Sequence, residues 1–162
     1  MVDNQNLDLG IIFKEALNEH PRLKWRKLYT FHPYIIIANY LVAEHNEIPY
    51  ELLKDMDFAS HFQYGSSASE SIKEAEGFLK RLQLPYKEIV LHDNIDASFA
   101  AVEAGEGFTV SPPMFQHIFF NPYVRKYPLP INAEIGCIYS PSNKNDQVGS
   151  IVDSLARLAE DM

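Results

Sequence analysis

Apolar positions along this chain fall mostly in short continuous runs bounded by polar loops or by proline. Only a few segments carry them at helical spacing. The first run, Leu7-Asp8-Leu9-Gly10-Ile11-Ile12, alternates briefly and then turns fully apolar, as a strand does on joining a buried sheet. Residues 13–27 are mixed and charged and are broken by Pro21. The stretch from Leu28 to Tyr40 is rich in Ile, Tyr and Phe and predicts a strand that bends at Pro33 or begins after it. Residues 43–47 read as a polar loop. Pro49 to Lys54 reads as a short helix, with the proline at a position the first turn permits. Phe58 to Tyr64 predicts another short strand.

The clearest helix opens after Gly65-Ser66-Ser67. Ser67 and Glu70 have capping-box spacing, and Ile72, Ala75, Phe78, Leu79 and Leu82 form one apolar stripe. Glu76 and Lys80 pair across one turn on the wet side, and Pro85 is read as the stop. Residues 88–91 predict a strand. Asp93 or Asn94 then caps a helix that buries Ile95, Phe99 and Val102, with Gly105 suited to the left-handed position after its last turn. Phe108 to Val110 is a strand running into Pro112-Pro113. Residues 114–120 read as a helical turn, and 121–130 as a proline-punctuated crossing. Residues 134–139 give a last strand. Val148, Ile151, Val152, Leu155 and Leu158 mark an amphipathic C-terminal helix. Alternation of this kind predicts an α/β fold with largely parallel strands.

Composition narrows the class of function. The chain has 162 residues, 14 Lys plus Arg against 22 Asp plus Glu, and a net charge of −8. That acidity argues against broad electrostatic binding of nucleic acid or of an anionic membrane. A single cysteine, Cys137, excludes an intramolecular disulfide framework and any multi-cysteine metal site, and it fits a reducing cytoplasm. No apolar run is long enough to cross a bilayer, and the polar, acidic N-terminus lacks the features of an export signal. The expectation is a soluble cytoplasmic protein.

Catalytic patterns are sought and not found. None of the six histidines has His-Glu-x-x-His spacing. His61 and His92-Asp93 stand at strand ends, where a catalytic group can sit, but an exposed or hydrogen-bonded role is favoured for each. Gly105-Glu106-Gly107 has Val110 where a dinucleotide fingerprint needs glycine, and it precedes a strand rather than a helix. There is no P-loop and no Gly-x-Ser-x-Gly elbow. Cys137 reads as a small buried side chain, and Asp8 as a carboxylate at the start of a strand or in a turn. No catalytic residue, metal site or cofactor is assigned. The serines Ser66, Ser67 and Ser69 differ in kind, because they lie where a strand ends and a helix begins. Free backbone N–H groups and the helix dipole favour an anion there, and ligands of open α/β sheets bind at such strand ends. The alternative role for Ser67 is simple N-capping. The junction at residues 92–95 is a weaker candidate, since Asp93 repels an anion.

Three ordered segments resemble the effector-binding domain of LysR-type transcriptional regulators. Asn6-Leu7-Asp8-Leu9-Gly10-Ile11-Ile12 is similar to the family's G-x-L-D-hydrophobic-A/G-I strand. Residues 47–58 resemble its I-S-L-x-D-L-x-x-x-P-F segment, with Pro49, Tyr50 and Asp57 as departures. Residues 101–112 resemble V-A-A-G-x-G-I-x-x-L-P and are the most specific of the three. The resemblance implies a type 2 periplasmic-binding-protein-like fold with two lobes, mixed and mostly parallel sheets, and a small-molecule cleft between the lobes. It implies lobe 1 from residues 1–39 and 124–162, and lobe 2 from residues 40–123. Ligand contacts carried over from the family fall on Phe13 and Lys14 and on Tyr64, Gly65, Ser66 and Ser67.

The implied function is sensing of a small-molecule effector, an anion or carboxylate, with ligand-biased lobe closure signalled through dimer packing. The implied partners are that effector and further copies of the chain in a homo-oligomer. DNA would be bound only through a segment absent from this chain, and no membrane is involved. The fold is expected to be N-terminally incomplete, lacking the family's DNA-binding segment and the opening strand–helix–strand of lobe 1. Other readings are a non-regulatory solute-binding protein or enzyme on the same fold, or a stand-alone dimerisation remnant.

Overall fold

The computed structural model describes residues 8–14, 22–62, 66–113, 121–143, 145 and 147–160. In chain order the elements are β1 (Leu9–Phe13), β2 (Lys24–Phe31), β3 (Tyr34–Ala38), a 3-10 turn at Asn39–Leu41, α1 (Tyr50–Leu53), β4 (Phe58–His61), α2 (Ala68–Leu82), β5 (Ile89–His92), α3 (Ile95–Glu103), β6 (Phe108–Ser111), β7 (Val124–Pro128), β8 (Ala133–Tyr139) and α4 (Gln147–Glu160). They form two compact units, residues 1–32 with 130–162 and residues 33–129. The sequence reading set the divisions at 39/40 and 123/124. The shift arises because β3 and β7 pair with each other and β3 also pairs with β6, which binds both flanks to the middle unit.

The middle unit is a five-stranded sheet in the order β5-β4-β6-β3-β7. Its continuous apolar strand is explained by alternation. Ile35 and Ile37 enter one core with Phe58 and Phe108, covered by Leu53 of α1 and by Ala75 and Leu79 of α2. Ile36 points the other way, into a second core with Ala59, Val124 and Phe99 and Val102 of α3. All three isoleucines are essentially inaccessible, and burial of each stabilises the fold by about 1.5–3 kcal/mol before entropy is counted. The Phe58 and Phe108 rings meet edge to face at 5.4 Å.

The outer unit is a three-stranded sheet, β1-β8-β2, with both pairings antiparallel. Cys137 of β8 is buried against Val148 and Val152 of α4, with Leu9, Leu28, Tyr139 and Leu155 packed around them. Trp25 and the Arg26 carbonyl lie over Gly136, where a Cβ would collide with both.

The α/β fold with mixed sheets is borne out, but the pairing is not mostly parallel. Only β4 with β5 and β4 with β6 run parallel among the described residues. The antiparallel pairs come from β3, which enters the sheet between β6 and β7, and from the outer unit. The crossing expected at 121–130 contains a strand, β7. Its buried Val124 and Tyr127 face the cores, and Pro128 sits at the end of an edge strand, where a missing N–H costs little. The long stretch 28–40 is two strands separated by His32 and Pro33, and the Leu129 amide donates to the Pro33 carbonyl at 2.8 Å. Arg125 and Tyr127 of β7 fasten the loop after β3. The guanidinium donates to the carbonyls of Val42 (3.2 Å) and Ala43 (3.1 Å) and to Asn46 Oδ1 (3.1 Å), and the Tyr127 hydroxyl donates to His45 O at 2.9 Å.

Helix ends follow local chemistry. Pro49 is the N-cap of α1. α2 ends at Gln83, which takes the left-handed conformation, two residues before the expected proline. Asn94, rather than Asp93, caps α3. In α4 the stripe is only partly covered: Val148 and Val152 are buried, whereas Ile151 and Leu158 are exposed. The helical turn expected at 114–120 lies outside the described residues.

Gly105 does occupy a left-handed position, with φ +83°, and a Cβ there would run into the Tyr40 hydroxyl. That hydroxyl donates to the Ala104 carbonyl at 2.9 Å. Gly105→Ala is expected to destabilise the protein by about 1–3 kcal/mol, read as a lower urea midpoint. A midpoint equal to that of the parent sinks this assignment.

Candidate functional site

The parallel strands of the middle unit end together at His61, His92 and Ser111. α2 and α3 both begin just beyond this edge, as the strand-to-helix order requires. His61 and His92 are register partners on β4 and β5. His61 lies two residues after Ala59, which packs in the α3 core. Strand periodicity therefore puts His61 and its register partner on the α3 face. Burial pushes the His61 imidazole below its ordinary value, which keeps the ring neutral near pH 7. The Phe62 amide donates to the His92 carbonyl at 3.0 Å and ties the two strand ends.

At the start of α2, Ser67 forms a complete capping box. Its hydroxyl accepts from the Glu70 amide at 3.4 Å and donates to Glu70 Oε2 at 2.6 Å, and its own amide donates to the same carboxylate at 2.7 Å. Ser69 Oγ lies 3.1 Å from Ser67 Oγ. The Ser67 hydroxyl, and then its amide, hold the Glu70 carboxyl below the usual carboxylate range. The positive end of α2 thus carries a carboxylate of its own. At α3, Asn94 Oδ1 accepts from the Ala97 amide at 2.9 Å, and Asp96 stands in the first turn.

Ser66 is half-buried at this edge and Ser67 is exposed. Tyr64 and Gly65 lie outside the described residues. Phe13 ends β1 in the outer unit, and Lys14 follows it. The Phe13 ring meets Phe31 edge to face at 6.1 Å. Lys14 is paired with Glu134, which also lies 3.8 Å from Lys27 Nζ. The Lys14 hydrogen bond is the main cause holding the Glu134 carboxyl below its ordinary value. The serine pair and the Phe13–Lys14 pair thus each belong to one unit. From the sequence, the junction at residues 92–95, with His92 and Asn94, is a weaker ligand candidate, and no ligand role falls on His61 or Ser111. Two repeats of strand followed by a capping residue, 58–67 and 89–94, were the available signal. The register that sets one histidine beside the other had none.

Asp8 has partners: Asn143 Nδ2 at 3.0 Å and Asn145 Nδ2 at 2.9 Å, and these bonds lower its carboxyl, that of Asn145 most. Cys137 is buried, which raises its thiol and disfavours a thiolate. Among the described residues no three His, Cys, Asp or Glu side chains gather to hold a metal ion, and no helix is long and apolar enough to cross a membrane.

Two outcomes follow from this geometry. Ser67→Ala removes the cap and should cost about 1 kcal/mol of stability, measured by urea denaturation without any ligand. An unchanged midpoint would show that the capping box contributes nothing. For His61, the unfolded chain binds a proton at a higher pH than the folded chain does. Stability is therefore full above the ordinary histidine range and falls as pH drops through about 6.5. His61→Asn should flatten that slope between neutral and mildly acidic pH. A slope that His61→Asn leaves intact rules His61 out as its source.

Comparisons with known proteins agree with this architecture. A family model described as LysR substrate binding domain matches residues 1–159. No curated protein matches the chain in sequence. Full-length CbnR, in complex with its target DNA, superimposes with a TM-score of 0.70 at 14% identity, over 98% of this chain and 55% of CbnR. This chain therefore spans about half the length of that regulator. The regulatory domain of Synechocystis PCC6803 CcmR, in complex with 2-PG, gives a TM-score of 0.70 at 17% identity, over 99% of this chain and 77% of that one. The BenM effector-binding domain, with its effector benzoate, gives 0.69 at 13% identity, over 98% of this chain and 72% of that one. With the family pattern running through both units, the chain belongs to the LysR substrate-binding-domain family.

Proposed function

We propose that this chain senses a small-molecule effector within a LysR-type transcriptional regulator and passes the event on through packing against further copies of itself. The observation that carries this reading is the family match over residues 1–159, joined to a strand edge where two helices begin. Similar domains are named with 2-PG and with benzoate bound. The effector is a small anion or carboxylate. Ser66 and Ser67, with Tyr64 and Gly65 beside them in sequence, contact it in the middle unit, and Phe13 and Lys14 contact it in the outer one. Ser66 is the better placed of the two serines, because the Ser67 hydroxyl is already used by the capping box. The carboxylate of Glu70 sets a condition on the ligand: an anion must approach beside it and be held by hydroxyls and amides rather than by net charge. The chain works in the cytoplasm without catalysing a reaction, and DNA contact belongs to a segment outside it.

A thermal-shift screen against benzoate, other small carboxylates and amino acids tests this reading. A ligand at about 100 times its dissociation constant stabilises by about 2.7 kcal/mol, well above the scatter of such assays. The rise caused by a hit should shrink in Ser66→Ala/Ser67→Ala, each compared with its own ligand-free protein. A panel that shifts nothing counts against effector sensing, and a rise undiminished in the double variant removes the two serines from the site.

A further inference from the structure

α2 begins beside the strand ends at His61 and His92 and runs to the far end of the middle unit. Its 15 residues carry the chain about 22 Å from that edge. At its end Gln83 takes the left-handed conformation, with φ 55°, the one non-glycine residue to do so among the described residues. The Gln83 amide donates to the carbonyls of Leu79 and Lys80, and the Leu84 amide donates to Leu79 O at 3.1 Å. This turn reverses the chain, so that Pro85 and Tyr86 line the same groove as the last two turns of the helix. Tyr50, the first residue of α1, completes its wall. The groove is open and has a volume of about 730 Å³, within the roughly 300–1,000 Å³ of small-molecule sites. Every residue that lines it belongs to the middle unit.

The base of the groove is apolar and its rim is not. Leu79 and Leu84 are buried members of the core under α1 and α2. Glu76, Lys80 and Gln83 follow one another along the same face of α2 and are exposed. The pairing of Glu76 with Lys80 that their spacing predicts does not form. No ion pair joins them, and neither has another charged partner among the described residues. Arg81, the other cation of the last turn, lies with Nη1 3.7 Å from where a Cβ on Gly77 would sit, against the flank of the helix. Lys87 is engaged by Asp57 at 3.5 Å. The hydroxyls of Tyr50 and Tyr86 make no hydrogen bond among the described residues.

One groove thus gathers a carboxylate, an ammonium and two phenols that the chain itself leaves unused, around an apolar base. The two charges stand one helical turn apart. A ligand that answers both must carry a cation and an anion a few bonds apart. A singly charged ligand leaves one of them unanswered, and a ligand without an apolar body leaves the base wet. We propose that this groove is a second ligand site, which binds a free α-amino acid with an apolar or aromatic side chain. The ligand's ammonium meets Glu76, its carboxylate meets Lys80, and its side chain covers Leu79, Leu84 and Pro85 beside the tyrosine rings. Both charges are exposed, so each adds a modest increment, and the dissociation constant is expected on the order of millimolar. The site does not depend on the serine edge, which lies at the other end of α2.

Titration of the isotopically labelled chain with L-phenylalanine, followed by amide chemical shifts, tests this. The amides of Tyr50, of residues 76–84 and of Tyr86 should shift and saturate, and those of residues 66–70 should not. Phenethylamine and phenylacetate, each lacking one charge, should bind about threefold or more weakly, and glycine, lacking the side chain, should not saturate. Glu76→Gln and Lys80→Gln each remove one charge at an exposed helix position, so the fold should survive, and an unchanged circular dichroism spectrum checks this. Each variant should weaken phenylalanine by the same factor. Phenethylamine, which has no carboxylate to lose, should bind Lys80→Gln as well as it binds the parent. The proposal is overturned if no amide of residues 76–86 shifts saturably, or if phenylalanine shifts only residues 66–70. Phenylalanine binding that neither variant weakens overturns it equally.

Discussion

Everything in the middle unit depends on the two-sided burial of β3. Ile35 and Ile37 support the core under α1 and α2, and Ile36 supports the one under α3. A strand buried on both faces cannot slip by one residue without exchanging the contents of the two cores. Its register with β6 and β7 is therefore strongly specified, and β6 in turn aligns β4 beside it. The position of the strand ends at His61, His92 and Ser111 follows from this, as do the starts of α2 and α3. The alignment of these strand and helix ends is thus a consequence of packing several residues away.

What that edge can hold is decided by its own carboxylates as much as by its dipoles. A bare helix N-terminus favours an anion. Here Glu70 already bonds the Ser67 amide and hydroxyl, and Asp96 stands in the first turn of α3. His61, kept neutral by burial, adds a polar ring without a positive charge. These groups favour recognition by directed hydrogen bonds over general attraction, which suits discrimination among small polar molecules of similar charge. A site that bound by charge alone would accept many anions about equally.

Much of this was legible in the chain because it is local. The capping box of Ser67 and Glu70, the left-handed Gly105, the buried Cys137 and the strand-then-helix order all depend on near neighbours in sequence, and the structure has them. The three ordered family segments were equally readable, and the family match extends them over residues 1–159. What escaped depends on distant pairing. Nothing local in Val124 to Pro128 announces a strand, because its reason to be one is the buried edge of β3. The direction of β3 against β6 and β7 is invisible in a pattern of isoleucines, so mostly parallel pairing was a natural misreading. The neighbouring positions of His61 and His92 likewise exist only in the register of β4 with β5. Of the ligand candidates, only the serines after β4 had a local signal, and the same signal served the cap.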